Sequence, residues 1–189
     1  FARGPSMMQG YYRDQAATAE VLSPDGWLET GDKGYLAEGE LVITGRSKDL
    51  IIINGRNIWP QDIEHLAEQQ PEVRATDSSA FSVPGEAGEG AVLVVQCREA
   101  DPALLGSLAE RLRHAVAAEF GIDCLVEIVP PHTLPRTSSG KLSRSSARRQ
   151  FLERHGVECA DQLSWAREGY TAYRDGSTIS QAAVPAGSG

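Results

Sequence analysis

The sequence predicts an α+β fold: a β-hairpin and a mixed sheet of about three strands, packed by helices. Two observations carry that prediction. Short apolar runs rich in β-branched residues alternate with stretches of helical spacing, in the order β-β-α-β-β-α-β-α from residue 41 to 155. Each helical stretch also opens on a cap or a proline and closes on a glycine or a proline, so its ends are chemically marked.

Residues 1–30 are turn-rich, punctuated by Gly4-Pro5, Gly10, Pro24-Asp25-Gly26 and Gly31-Asp32, with Tyr11, Tyr12 and Trp27 between. They read as the edge of a larger body, without a core of their own. Lys33–Ala37 and Glu40–Gly45 flank the turn Glu38-Gly39 and predict a hairpin. Thr44 to Glu64 follows as the stretch around which the chain is organised. Arg46, Lys48 and Asp49 form a charged joint expected to stay wet. Leu50–Ile53 suits a buried strand, and Asn54-Gly55 reaches positive φ cheaply and predicts a sharp turn. Pro60 then starts a helix, with Asp62 and Glu64 as negative charge in its first turn and Ile63, Leu66 and Ala67 on one face; Pro71 ends it.

Ser79–Val83 and Ala91–Arg98 read as strands joined by the loop Pro84–Gly90. Asp101-Pro102 caps a helix whose stripe is Leu105, Leu108, Leu112 and Val116, and Gly121 stops it. Cys124–Val129 is the next strand. After the loop Leu134–Lys141, Ser143 caps a basic helix running to about Arg154, with Gly156 after it. Beyond Gly176 the composition falls to Ser, Gln, Ala, Pro and Gly and reads as a disordered tail or linker.

The chain has 189 residues, 41% of them hydrophobic, and a net charge of −8. That suits one domain, or one domain plus part of another, and argues against bulk nucleic-acid binding. Cys97, Cys124 and Cys159 are widely spaced and odd in number, which reads as free thiols in a reducing compartment and no metal site. No apolar run approaches membrane-spanning length, and the N-terminus does not read as a signal peptide, so the expected location is cytoplasmic. Phe1 opens without a methionine, which reads as a fragment of something longer.

Few motifs are specific when taken singly. Thr137-Ser138-Ser139-Gly140-Lys141 could hold an anion through backbone N–H groups and a lysine, but it lacks the Walker A pattern. Alone it reads first as a flexible polar loop. Gly85, Gly88 and Gly90 miss the dinucleotide spacing, and Glu86 and Glu89 would repel a pyrophosphate. His65, His114, His132 and His155 show no zinc spacing and read as surface or helix histidines. Arg144, Arg148, Arg149 and Arg154 read most simply as a solvated basic face, with docking of an acidic partner as the alternative. Asp32 could accept hydrogen bonds from sugar hydroxyls or serve as a plain turn aspartate.

The order of the motifs says more. Trp27-Leu28-Glu29-Thr30-Gly31-Asp32, Gly45-Arg46-Ser47-Lys48-Asp49, Gly55-Arg56-Asn57-Ile58-Trp59-Pro60-Gln61-Asp62-Ile63-Glu64 and Pro135-Arg136-Thr137-Ser138-Ser139-Gly140-Lys141-Leu142-Ser143-Arg144 follow one another at spacings that resemble the adenylate-forming superfamily. That group holds acyl-CoA synthetases, peptide-synthetase adenylation domains and luciferases. Within it, the run Lys48–Ile53 with Gly55-Arg56-Asn57 and Pro60–Glu64 looks most like the fatty acyl-AMP ligases, which activate fatty acids for acyl carrier proteins of polyketide or peptide assembly lines. The resemblance covers roughly residues 4–151.

The resemblance implies a division into the last edge of a large N-terminal domain (1–45), a mobile C-terminal domain (46–156) and an extension (157–189). It implies that Asp32 holds the ribose hydroxyls of the adenylate and that Arg46 also contacts the nucleotide. Lys48 would be the hinge about which the C-terminal domain rotates. Lys141 would be the catalytic lysine that reaches acyl and phosphate oxygens during adenylation. Gly55 would lie on the loop facing the incoming pantetheine arm after rotation. The implied substrates are ATP and a fatty acid. Mg2+ would be bound mainly outside these residues, and the acceptor would be an acyl carrier protein. The phosphate loop, adenine pocket and acyl pocket would belong to the large domain, so these residues alone are expected not to catalyse adenylation. Two readings stay open beside this one: an acyl-CoA ligase, whose turn often has two glycines where this chain has Asn54-Gly55, and a non-catalytic interaction module.

Overall fold

A computed structural model describes residues 1–85, 88–156, 170–174 and 177–179. The chain divides between Lys48 and Asp49 into two compact units.

The first unit holds a short helix α1 (Gln15–Val21), N-capped by the Asp14 carboxylate, which accepts from Ala17 N, and an antiparallel hairpin β1 (Asp32–Ala37) and β2 (Glu40–Arg46). The hairpin matches the sequence expectation; α1 does not, because its seven residues bury no apolar face that would have marked a period. No side chain in this unit is fully buried. Tyr35, Leu36, Leu41 and Ile43 are all exposed on the hairpin. Gly34 is required by packing rather than by φ: a Cβ there would lie 2.4 Å from the Val42 carbonyl oxygen. A 3-10 turn (Ser47–Asp49) ends the segment.

The second unit opens on a small hairpin, β3 (Ile51–Ile53) and β4 (Arg56–Ile58), turned by Asn54 (φ 51°) and Gly55 (φ 76°). Two consecutive left-handed residues make the primed turn that Asn-Gly favours, because its twist matches the flanking strands. The turn was legible in the sequence; β4 was not, since Arg-Asn-Ile carries no strand pattern. Next come α2 (Pro60–Glu68), β5 (Ser78–Gly85), β6 (Gly88–Gln96), α3 (Pro102–Phe120), β7 (Cys124–Val129) and α4 (Arg144–His155), with caps at Asp101, Gly121, Ser143 and Gly156 as expected. The β5–β6 ladder runs out to the Gly85–Gly88 pair, so the connection is shorter than the loop predicted from Pro84 to Gly90. The sheet is mixed: β5–β6 is antiparallel and β6–β7 parallel, the crossover being α3. Two further strands, β8 (Tyr170–Arg174) and β9 (Ser177–Ile179), extend it in the order β5-β6-β7-β8-β9. Ser177–Ile179 is thus a strand where the sequence reads as tail, paired with β8 through backbone groups that composition does not reveal. The rest of that expected tail, 180–189, lies outside the described residues, as do 157–169.

Side-chain alternation along β6 divides the core in two. Leu93 and Val95 join Ile51, Ile63, Leu108 and Leu112 under α2 and α3. Val92 and Val94 join Phe81, Val83, Ala147 and Phe151 under α4. Phe151 meets Phe81 edge to face at 5.7 Å. Both sheet faces are therefore covered, which is why β6 reads as an unbroken apolar run.

Candidate functional site

In the first unit the β1–β2 register sets Asp32 directly across from Arg46, and their side chains lie 3.5 Å apart (Arg46 Nε to Asp32 Oδ1). The pair is open to solvent, with the side chains 35% and 57% exposed. Gly31 at φ 71° turns the chain into β1, Asp32 N–H donates to Thr30 Oγ1, and Ser47 N–H donates to the Gly31 carbonyl. These bonds fix the entry to the hairpin. Beside them is a cavity of about 590 Å3 whose walls include Thr30, Gly31, Arg46 and Lys48. An open carboxylate next to a guanidinium and a lysine offers acceptors for sugar hydroxyls and donors for phosphate oxygens. Glu20 and Glu29 also line this cavity, and Asp32 is not among its lining residues. Lys48 itself is exposed on the 3-10 turn, at the last residue of its unit.

The second unit holds Gly55 and Lys141. A Cβ at Gly55 would meet nothing within 4 Å, so the turn projects into open space and its glycine answers only to φ. The loop around Lys141 is more ordered than a flexible polar loop. Thr137 N–H donates to the Lys141 carbonyl, Lys141 N–H donates to Thr137 Oγ1, and Gly140 at φ 80° closes the turn. Arg136 braces it, donating to the Gly140 carbonyl and to the Thr76 carbonyl and hydroxyl. The Lys141 ammonium is exposed and has no hydrogen-bond or ion-pair partner among the described residues. A free cation on a braced turn is available to an incoming anion.

Several charged residues serve the fold instead. Glu64 is not a plain first-turn carboxylate: it is buried, accepts from Ala80 N–H of β5, and takes Arg144 in a bidentate pair at 2.7 and 2.5 Å. Asp49 lies 3.7 Å from the same guanidinium, so it is half-buried and not part of a wet joint. Attraction to Glu64 holds the Arg144 proton above the usual guanidinium value. Glu127 is fully buried in β7 and pairs with Arg154 and with His155 Nε2 at 3.0 Å. Arg148 donates to the Ser82 carbonyl. The solvated basic face expected of α4 is thus reduced to the exposed Arg148 and Arg149, and His155 is a helix histidine, as one of the two expectations had it, lying against Phe151 at 4.7 Å. Glu127 left a sequence signal in a lone charge inside Cys124–Val129, since a buried carboxylate demands a partner. Cys97 and Cys124 are buried free thiols, and burial pushes Cys124 up to about 12. Cys159 lies outside the described residues.

No family model matches the chain. A protein of Caulobacter vibrioides named as an acyl-CoA synthetase is 47% identical over 153 residues, matching 80% of this chain and 27% of its own length. A medium-chain-fatty-acid–[acyl-carrier-protein] ligase of Moorena producens is 36% identical over 160 residues, again with 27% of its length covered. The chain belongs with the adenylate-forming ligases. A solved structure from a study of fatty acyl-adenylate ligases of E. coli and L. pneumophila superposes with a TM-score of 0.72 at 46% identity, over 82% of this chain and 27% of that one. The chain therefore spans about a quarter of the length of the relatives it matches, as a C-terminal domain. No helix among the described residues is long and apolar enough to cross a membrane.

Proposed function

We propose that the chain is the C-terminal part of a fatty acyl-AMP ligase, which uses ATP to activate a fatty acid as the acyl-adenylate and passes it to the phosphopantetheine thiol of an acyl carrier protein. The observation that carries this reading is Lys141, a cation without a partner among the described residues, on a turn braced by Arg136. Attack of a carboxylate on the α-phosphate develops negative charge as pyrophosphate leaves, and a preorganised cation offsets it. Asp32 accepts from the ribose hydroxyls, and Arg46, beside it at 3.5 Å, both orients that carboxylate and faces the phosphate. Mg2+ would supply further charge neutralisation when bound, through ligands outside these residues.

Thiol transfer needs different neighbours at the same centre. Lys48, at the last position before the chain divides, absorbs the backbone change that swings the second unit, withdrawing Lys141 and presenting the Gly55 turn to the pantetheine arm. The Moorena producens relative, named for a medium-chain fatty acid and an acyl carrier protein, supports the fatty-acid substrate, and the Caulobacter vibrioides relative is named for acyl-CoA. The second name favours an acyl-CoA ligase as the alternative. A non-catalytic module is disfavoured by the joint presence of Asp32, Arg46, Lys48 and Lys141.

The deciding assay supplies the intact protein with ATP and a fatty acid, then offers CoA or a holo-carrier protein. Acyl transfer to the carrier at least about tenfold faster than to CoA is expected. Efficient acyl-CoA formation with an idle carrier overturns the preferred acceptor, and absence of any acyl-adenylate overturns the function.

A further inference from the structure

At the carboxyl ends of the parallel strands β6 and β7 the second unit has a cavity of about 450 Å3, which the proposed reaction does not use. Its floor is Gln96, buried and fully engaged: its amide donates to Asp77 Oδ1 at 2.7 Å, and its carbonyl oxygen accepts from Leu134 N–H at 2.8 Å. One carboxylate faces the space, Asp77, and it is occupied by Gln96 and by Arg136 at 3.6 Å. Around it stand Arg74, Arg98, Arg136 and His132.

Arg136 is committed to Thr76 and Asp77. The Arg74 and Arg98 guanidinium groups have no hydrogen-bond or ion-pair partner among the described residues, in a chain whose net charge is −8. A walled, locally cationic space with one neutralised carboxylate is unexpected on an acidic protein. The wall is also over-determined. Thr76 sits at φ 65°, costly for a β-branched residue, and is held there by Glu68 Oε1, which accepts its N–H at 2.7 Å, and by Arg136. His132, which also lines the cavity, sits at φ 67°.

We propose that this cavity binds a phosphoryl anion, with Arg74 and Arg98 as the recognising forks and Arg136 as the brace that shares the wall with the Lys141 loop. Arg74 and Arg98 both line the cavity as exposed residues, and each guanidinium can donate a pair of hydrogen bonds to phosphate oxygens. The volume exceeds that of a single phosphate and admits a diphosphate or a phosphate ester. The crevice at strand carboxyl ends is where ligands of open sheets commonly sit.

The test is titration of the isotope-labelled 189-residue chain with inorganic phosphate, pyrophosphate and glycerol 3-phosphate, followed by amide shifts, with chloride at matched ionic strength as reference. The three phosphates separate a free-anion site from an ester site. Saturable shifts at 74–77, 96–98 and 132–136 are expected, with affinity in roughly the millimolar range or better. Arg98→Gln should weaken binding about fivefold and Arg74→Gln with Arg98→Gln at least about 20-fold, while Arg149→Gln on the exposed face of α4 should change it less than about twofold. Absence of saturation up to about 20 mM, equal weakening by Arg149→Gln, shifts confined to other residues, or an equal response to chloride would each overturn the proposal.

Discussion

Each unit of the chain contains a carboxylate–guanidinium pair, and the two do opposite jobs. Asp32 and Arg46 face one another across a hairpin at 3.5 Å, both substantially open to water. Glu127 is 0% exposed and holds Arg154 and His155 against the sheet. The same chemistry is a fastener in the buried setting and, on the proposed reading, a ligand contact in the open one. Burial decides which: water screens the first pair and leaves its lone pairs available, whereas the fully buried Glu127 carboxylate must be satisfied by the protein. The wider contrast runs the same way. Residues 1–48 bury no side chain completely, while the second unit packs two apolar layers against one sheet.

The comparison can be broken by substitution, and the largest effect should come from the fastener. Glu127→Ala leaves Arg154 and His155 without their buried partner and should destabilise the second unit by about 3–5 kcal/mol, read by denaturant unfolding. A change below about 1 kcal/mol would mean the pair is solvated in practice. Gly55→Ala comes next. It meets no steric neighbour but must hold φ near 76°, so a loss of about 1–2 kcal/mol is expected from backbone strain alone. Smallest is Asp32→Asn, which should move stability by no more than about 1 kcal/mol. On the proposed reading the same substitution weakens nucleotide binding in the intact enzyme. A stability loss matching that of Glu127→Ala would erase the distinction between the two pairs.

How much of this was legible in the sequence follows the same divide between local and long-range causes. Helix ends were readable because Asp101, Pro102, Gly121, Ser143 and Gly156 act on neighbours a few residues away. The Asn54-Gly55 turn was readable for the same reason. β4, β8 and β9 were not, since their residues are strands only because a partner strand lies beside them. The solvated face expected of the α4 arginines holds for Arg149 and misses the long-range partners of Arg144, Arg148 and Arg154. Their acceptors are 27 to 80 residues away: Glu64 for Arg144, Ser82 for Arg148 and Glu127 for Arg154. Of the candidate site residues, the sequence brought out Asp32 and Arg46 without foreseeing that the hairpin register would pair them. It exposed Lys141 as a lysine in a polar loop but hid the brace, because Arg136 reaches Thr76 across 60 residues. The pocket of Arg74 and Arg98 left no motif at all.

On the proposed reading Lys141 serves one half-reaction and is absent from the other. The direct measurement is Lys141→Ala in the intact protein, with adenylate formation and thiol transfer from supplied acyl-adenylate assayed separately. Adenylation should fall by at least about 100-fold while transfer stays within about threefold of the parent. Equal loss of both half-reactions, or an unchanged rate of adenylation, would contradict the account.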